Sequence, residues 1–563
     1  MKTTKNIARL AVTASLTAVL SFGGVMAPTT MAFAVGTPVA TTSGNVTIKD
    51  DDYADTTFKG IKIFSATVTQ DQTSVDVWDS AGEKTLSDIT WASDDVKAAV
   101  MGAFTDGDGK PKGDDAQTWA EWIKTKTAAE YTAGTDQATK LNVGTTLYRI
   151  AKALEGKTWT AAKNGTAGTF ENIGAGYWLF ETQSVDKTTG ADGNDDAYTS
   201  PIFTVVGGED VNPEPKKSVP TVEKKILDDS KVTNDLKAVP EGDWKDVADS
   251  QIGQEVNYKL TGTIADNYDS YDTYSYKFTD TLTKGLSYVN DQTKVYAVNK
   301  DSSNKDKYTD ISNYFDVNLT NNADETTTLT VVAKAGERGK HLKEISDVNA
   351  NTKIVVFYKA KLNANAVIAG ANGGLSGNPN TVTLEYSNNP MSGGTGTSAP
   401  DTVVDYTYGF KINKVDLGTE APLKNAEFTI TTKGDEGNTT EKFVAADGTL
   451  SNDEVVLTTG DDGTIRLTGL DAGTYTVTEK NAPNGYTAVS SFDFTIAPTI
   501  KDEGQGYKLT KLEGALDNKG QGGKVIAGLA DGTAGDNKLD FKEGTLTNTD
   551  GTFNITVRSE ERR

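Results

Sequence analysis

Lys224 stands between Val222 and Ile226 at the even spacing of a β-strand, so its ammonium shares a face with aliphatic side chains. Lys414 repeats the arrangement behind Phe410 and Ile412. An unpaired ammonium on such a face costs on the order of several kcal/mol, so each lysine needs a partner. Acids occur on apolar parity as well: Asp280 between Phe278 and Leu282, and Glu479 after Tyr475 and Val477. A lysine and an acid buried together can share one proton, which leaves a neutral, nucleophilic amine. With an Asn carboxamide in reach, the amine can attack the carbonyl while the acid polarises it. Ammonia leaves, and a Lys–Asn isopeptide bond remains. An ordinary buried ion pair satisfies the same pattern, and the spacing alone does not choose between them.

Other chemistries find little footing. His341 is the single histidine and sits among charged residues in Gly339-Lys340-His341-Leu342-Lys343, which reads as a solvated loop. Nucleophile sets built on His, and His-based metal sites, are therefore not expected. Asp106-Gly107-Asp108-Gly109-Lys110 lacks the third acidic ligand and the distal Glu of a calcium loop. It and Asp192–Asp196 read as solvated acidic turns. No metal and no cofactor are expected, and the acids spread over turns give no cleft for a secreted hydrolase. A net charge of −23 argues against nucleic acid as a partner.

The elements that must position these lysines are mostly strands. A chain of 563 residues holds about three or four domains, and abundant Gly, Thr, Asn and Asp favour strands joined by turns. Lys2, Lys5 and Arg9, the apolar stretch Leu10 to Val25 and the small-x-small Ala32-Phe33-Ala34 form a secretory signal, with cleavage expected after Ala34. The absence of cysteine removes disulfides as the cross-link of an exported protein. A first domain is expected over 35–215, with a helical insert at Ser93–Phe104, Ala116–Thr127 and Ala138–Leu154 carrying Trp119 and Trp122 as core residues. A second, almost wholly β, is expected over 216–405, and a third over 406–563. Between the first two, Pro213, Pro215 and Pro220 hold an extended connector that carries the exposed pair Lys216 and Lys217.

Tyr475-Thr476-Val477-Thr478-Glu479-Lys480-Asn481-Ala482-Pro483-Asn484-Gly485-Tyr486, after Gly469-Leu470-Asp471-Ala472-Gly473, resembles the E-box of Gram-positive pilins and CnaB-type domains. Phe278–Leu286 resembles the acid-bearing segment of the middle domain of fimbrial shaft subunits, and Asn378–Pro390 its Asn-bearing strand. The resemblance spans nearly the whole mature chain. It implies a sortase-assembled major pilin of tandem immunoglobulin-like, Cna-type β-sandwich domains, exported to the cell wall of a Gram-positive bacterium. It implies a bond from Lys224 to Asn380, with Asn388 as alternative and Asp280 as the acid. In the third domain it implies Lys414 with Glu479, and Asn548 or Asn554 as the carboxamide. It also implies a linker lysine that attacks the sortase thioester of the next subunit: Lys216, directly after Pro215, with Lys217 second, in Asn212-Pro213-Glu214-Pro215-Lys216-Lys217 where the family has a Tyr-Pro-Lys-Asn-like run. The implied partners are identical subunits, a pilus-specific sortase, minor pilins, and host glycans or matrix. A wall-attached adhesin or pilus-tip protein is the competing reading; the linker lysine favours the shaft. No LPxTG motif or apolar tail follows Val557, which points to a reading frame cut or shifted near that residue.

Overall fold

A computed structural model describes residues 37–80, 84–130, 141–187, 193–215, 217–231, 233, 235–290, 292–369, 377–433, 441–502, 507–528, 538–542 and 553–562. Ala34, Lys216 and Asn548 lie outside them. The described chain is mainly β, with one cluster of helices. Among the described residues no helix is long and apolar enough to cross a membrane.

The first unit is built on the long strand β1 (Thr57–Ser74), which pairs antiparallel with β2 (Gly176–Ser184). β2 pairs in turn with β3 (Ile202–Val206). The helices α1 (Asp94–Gly102), α2 (Ala116–Glu130) and α3 (Thr146–Leu154) pack on this sheet. Ser93 starts α1 by accepting the Val96 N–H, the usual role of a serine at a helix N-terminus. Trp119 is buried and Trp122 packs against the same core, with ring centroids 5.5 Å apart. The third helix begins later than its sequence suggests. Gly144 adopts φ +89°, a left-handed conformation that cannot continue a helix, and Thr145 follows as the N-cap.

The second unit is a two-sheet sandwich. One sheet carries β4 (Val222–Leu227), β5 (Glu255–Gly262) and, beyond them, β7 (Lys353–Leu362). The other carries β6 (Tyr276–Leu282), β8 (Asn378–Ser387) and β9 (Asp401–Tyr406) side by side. β6 shows why: Tyr276, Phe278, Asp280 and Leu282 are buried while the residues between them are half-exposed, the alternation of a strand with one face on a core. The third unit begins with β10 (Tyr408–Asp416), hydrogen-bonded on one side to the antiparallel strand Thr464–Leu470. Its facing sheet contains β11 (Gly473–Asn481), the strand bearing the E-box-like run. On its other side β10 runs parallel to β12 (Phe553–Ser559).

Candidate functional site

Lys224 sits on β4 opposite Leu260 of β5, with its side chain turned between the sheets and none of it exposed. From the facing sheet, β6 brings Asp280 and β8 brings Asn380, two positions apart in register: Asp280 faces Val382 and Leu282 faces Asn380. The Lys224 ammonium donates to Asp280 Oδ2 and, at 2.9 Å, to the Tyr358 hydroxyl. That hydroxyl also accepts from Asn380 Nδ2 at 2.7 Å and donates to Asp280 Oδ2 at 3.1 Å. Tyr358, on β7, is held by Tyr258 stacked on it, with centroids 5.1 Å apart and planes 10° from parallel. One phenol thus fixes the amine, the acid and the carboxamide in a single buried cluster. Asn388 is elsewhere: its Nδ2 donates to the Asp196 carbonyl of the first unit at 3.2 Å.

Burial dominates the electrostatics of this cluster. Desolvation pushes the Lys224 amine below its ordinary range and the Asp280 carboxyl above its own, each only partly opposed by the attraction between them. Both displacements favour the neutral pair, an amine with a free lone pair beside a protonated acid. Oδ1 of Asp280 and Oδ1 of Asn380 are buried and make no hydrogen bond among the described residues. An orphan of this kind costs about 1–3 kcal/mol.

The third unit assembles a similar site with a different third member. Lys414 Nζ is 2.8 Å from Glu479 across the sheets, with neither side chain more than 1% exposed. Burial lowers the amine's pKa. The third partner is Ser559, whose Oγ lies 2.5 Å from Nζ. Of the two expected asparagines, only Asn554 lies among the described residues, and it is not at this site. Asn554 pairs with Lys411 on the parity of Thr556 and Arg558, whereas Phe553, Ile555, Val557 and Ser559 line the core face. Strand alternation therefore turns its side chain away from Lys414.

Lys217 is not the exposed linker residue its sequence suggests. Its ammonium pairs with Asp50 and Asp196 of the first unit and lies 4.3 Å from the centre of the Tyr53 ring; 12% of its side chain is exposed. Asp196 is likewise no solvated turn residue: it is fully buried and accepts from Thr56 Oγ1 at 2.5 Å. The reason is tertiary. The segment from Asn194 to Tyr198 lies along the second unit, with the Asp195 N–H donating to the Thr397 carbonyl and the Tyr198 N–H to that of Asn388. Asp108, read as part of another solvated turn, forms a two-oxygen contact with Arg149. His341 is half-buried, with Nδ1 3.0 Å from the Ala333 carbonyl, and touches none of these clusters. Among the described residues no group of three or more His, Cys, Asp or Glu is placed to hold a metal.

The first unit contains a further buried acid. Glu181 on β2 lies across from Lys59 of β1, 3.8 Å away, and burial raises its pKa to about 7. A carboxyl raised in the folded state contributes stability that is fully present below its ordinary value and is lost as pH rises through the raised one. Taking the unit from pH 5 to 8 should therefore cost it about 2–3 kcal/mol, and Glu181→Gln should flatten that slope. Six of the seven tryptophans fall in this unit (78, 91, 119, 122, 159 and 178), so unfolding followed by their fluorescence reads it directly. Equal slopes in the two proteins would remove Glu181 from the account.

Three participants were not picked out as such by the sequence. Tyr358 is one aromatic among alternating core residues, Ser559 a small polar residue near a strand end, and Asp196 one of several acids in a Gly-Asp run. The even spacing of Ser559 behind Ile555 and Val557 was the one usable signal.

Comparison with known proteins adds the following. Residues 409–510 match the family model of the SpaA prealbumin-like fold domain. Over 246 residues the chain is 28% identical to the trypsin-resistant surface T6 protein of Streptococcus pyogenes serotype M6, covering 39% of this chain and 42% of that protein. The match thus spans about two fifths of that relative's length. Among solved structures the chain is similar to the T6 backbone pilin of serotype M6 Streptococcus pyogenes, at 16% identity and a TM-score of 0.48 over 93% of this chain and 99% of that one. It is also similar to the full-length major pilin SpaD of Corynebacterium diphtheriae, at 14% identity and a TM-score of 0.41 over 92% and 98%.

Proposed function

We propose that this chain is the shaft subunit of a cell-surface pilus, and that its second domain closes on itself through a Lys224–Asn380 isopeptide bond. The observation that carries the reading is the buried cluster of amine, acid and carboxamide gathered on the Tyr358 hydroxyl. In the neutral pair Lys224 Nζ has a lone pair for the Asn380 carbonyl carbon, and Asp280 holds a proton. That proton makes the two orphan oxygens complementary, a donor on Asp280 and an acceptor on Asn380, and polarises the carbonyl. The C–N bond to Lys224 forms, the bond to Nδ2 breaks, the leaving NH2 takes the Asp280 proton and departs as ammonia, and the amine's surplus proton returns to Asp280. The reaction turns over once, inside its own fold. The bond would tie β4 of one sheet to β8 of the other, so tension could not separate the layers at that point.

The match at residues 409–510 and the likeness to a surface protein support the pilus setting. In it, the signal sequence exports the chain, a sortase joins the amine of Lys216 to the next subunit, and minor pilins and host surfaces are the further partners. Lys217 is the poorer acceptor because two carboxylates already hold its amine. Intact mass tests the closure: the protein should weigh roughly 17 Da less than its composition requires for each ammonia lost. Asn380→Ala should remove that deficit and Asn388→Ala should keep it. A full-weight native protein, or a deficit that follows Asn388, would end the assignment.

A further inference from the structure

We propose that the third domain is locked without a covalent bond, by Lys414, Glu479 and Ser559, and that the γ atom at position 559 alone decides whether it cross-links. The inference rests on the chemistry proposed for Lys224 but concerns a different site, read by different peptides. The amine and acid are already in place. Lys414 and Glu479 meet at 2.8 Å in a fully enclosed position, and Glu479 is oriented by the Val489 N–H, which donates to its Oε2 at 2.7 Å. What the amine meets next is a hydroxyl. Ser559 Oγ, 2.5 Å from Nζ, donates onward to the Thr487 carbonyl at 2.8 Å. A hydroxyl oxygen has no carbonyl carbon to offer a nucleophile, so the contact remains a hydrogen bond.

Asparagine carries its electrophilic carbon at the γ position, one bond from Cβ, where serine carries oxygen. A Ser559→Asn substitution would therefore put a carbonyl carbon close to where Oγ now lies, at the separation of a near-attack arrangement, about 3 Å. The Thr487 carbonyl, released by the serine, is then available to the carboxamide NH2, and the carboxamide oxygen would need to face Glu479. The step balances as it stands. Lys414 passes one proton to Glu479, its nitrogen bonds to the new carbonyl carbon, and the carbon–NH2 bond breaks. The departing NH2 takes that proton and the amine's second one and leaves as ammonium, and Glu479 returns to its carboxylate. No oxidant or co-reactant is needed. Burial helps by lowering the Lys414 pKa.

The test is peptide mapping and intact mass of the full chain. In the native protein the Lys414 peptide should be recovered free, whether or not the Lys224 peptide is joined to that of Asn380. In Ser559→Asn the Lys414 peptide should be joined to the peptide carrying position 559, with a further loss of roughly 17 Da. Lys414→Ala added to Ser559→Asn should abolish both effects. Ser559→Asp serves if the first variant does not fold, since amide formation from a carboxyl releases water, roughly 18 Da. A native Lys414 already in a covalent link overturns the proposal, as does a folded position-559 variant with Lys414 still free. A native Lys224 peptide found free would instead count against the second-domain bond alone.

Discussion

Asp280→Ala should yield a chain of full mass whose second domain unfolds far more easily than the native one. Two losses combine. Without the acid nothing takes the Lys224 proton, so the bond does not form, and the ammonium is left in the core with the Tyr358 hydroxyl as its remaining partner. Breaking a buried ion pair by removing one member costs about 3–5 kcal/mol. The missing cross-link costs more. Residues 224 and 380 are 156 apart in sequence (380 − 224), and closing a loop of that size removes about 5 kcal/mol of unfolded-state entropy in the chain-entropy picture. Together these rival the whole stability of an ordinary domain, about 5–15 kcal/mol. Calorimetry of the intact chain should show the second domain's transition fall by tens of degrees or vanish, with the others in place. Asp280→Asn removes the proton carrier as well but keeps the side chain's shape and an acceptor oxygen for the ammonium, so it should lose the bond and be destabilised less than Asp280→Ala. An Asp280→Ala protein that still lacks an ammonia's mass would show that another group carries the proton, and the role assigned to Asp280 would be withdrawn.

Lys216→Ala should abolish the ladder of high-molecular-weight polymers in cells that carry the matching sortase, whereas Lys217→Ala should leave the ladder in place. The prediction turns on what the Lys217 amine is already doing. An acceptor must present a free amine to an external enzyme, and the Lys217 ammonium is held by Asp50, Asp196 and the face of Tyr53. Removing it leaves two carboxylates facing each other at the contact of the first two domains, one of them fully buried. That should cost about 3 kcal/mol or more of stability, visible as earlier melting and faster proteolysis between those domains. A ladder that survives Lys216→Ala and disappears in a well-folded Lys217→Ala protein would reverse the assignment.

Much of the site is legible in the residue pattern because strand alternation is local. With a period of two, Lys224 and Lys414 must share a face with their aliphatic neighbours, and Asp280 and Glu479 must do the same on theirs. From that, two buried lysines and two buried acids follow without any knowledge of the fold. Position within a strand says nothing about position across one. Asn380 and Asn388 have the same parity and lie about 27 Å apart along an extended chain; only the pairing of β8 with β6, Leu282 against Asn380, brings one of them to Lys224. The same limit hid Tyr358, whose hydroxyl gains its role from the strand order that sets β7 beside β5. It hid Ser559 as well, brought to Lys414 by a parallel pairing of β10 with a strand more than a hundred residues later. Lys217 and Asp196 looked like solvated charges because nothing near them in sequence could cover them; the cover is a contact between two units. Local periodicity determined which charges would be buried in the two sandwiches. Long-range strand pairing decided which of them would meet, because hydrogen bonds between distant strands are specified by the whole sheet and not by any segment of it.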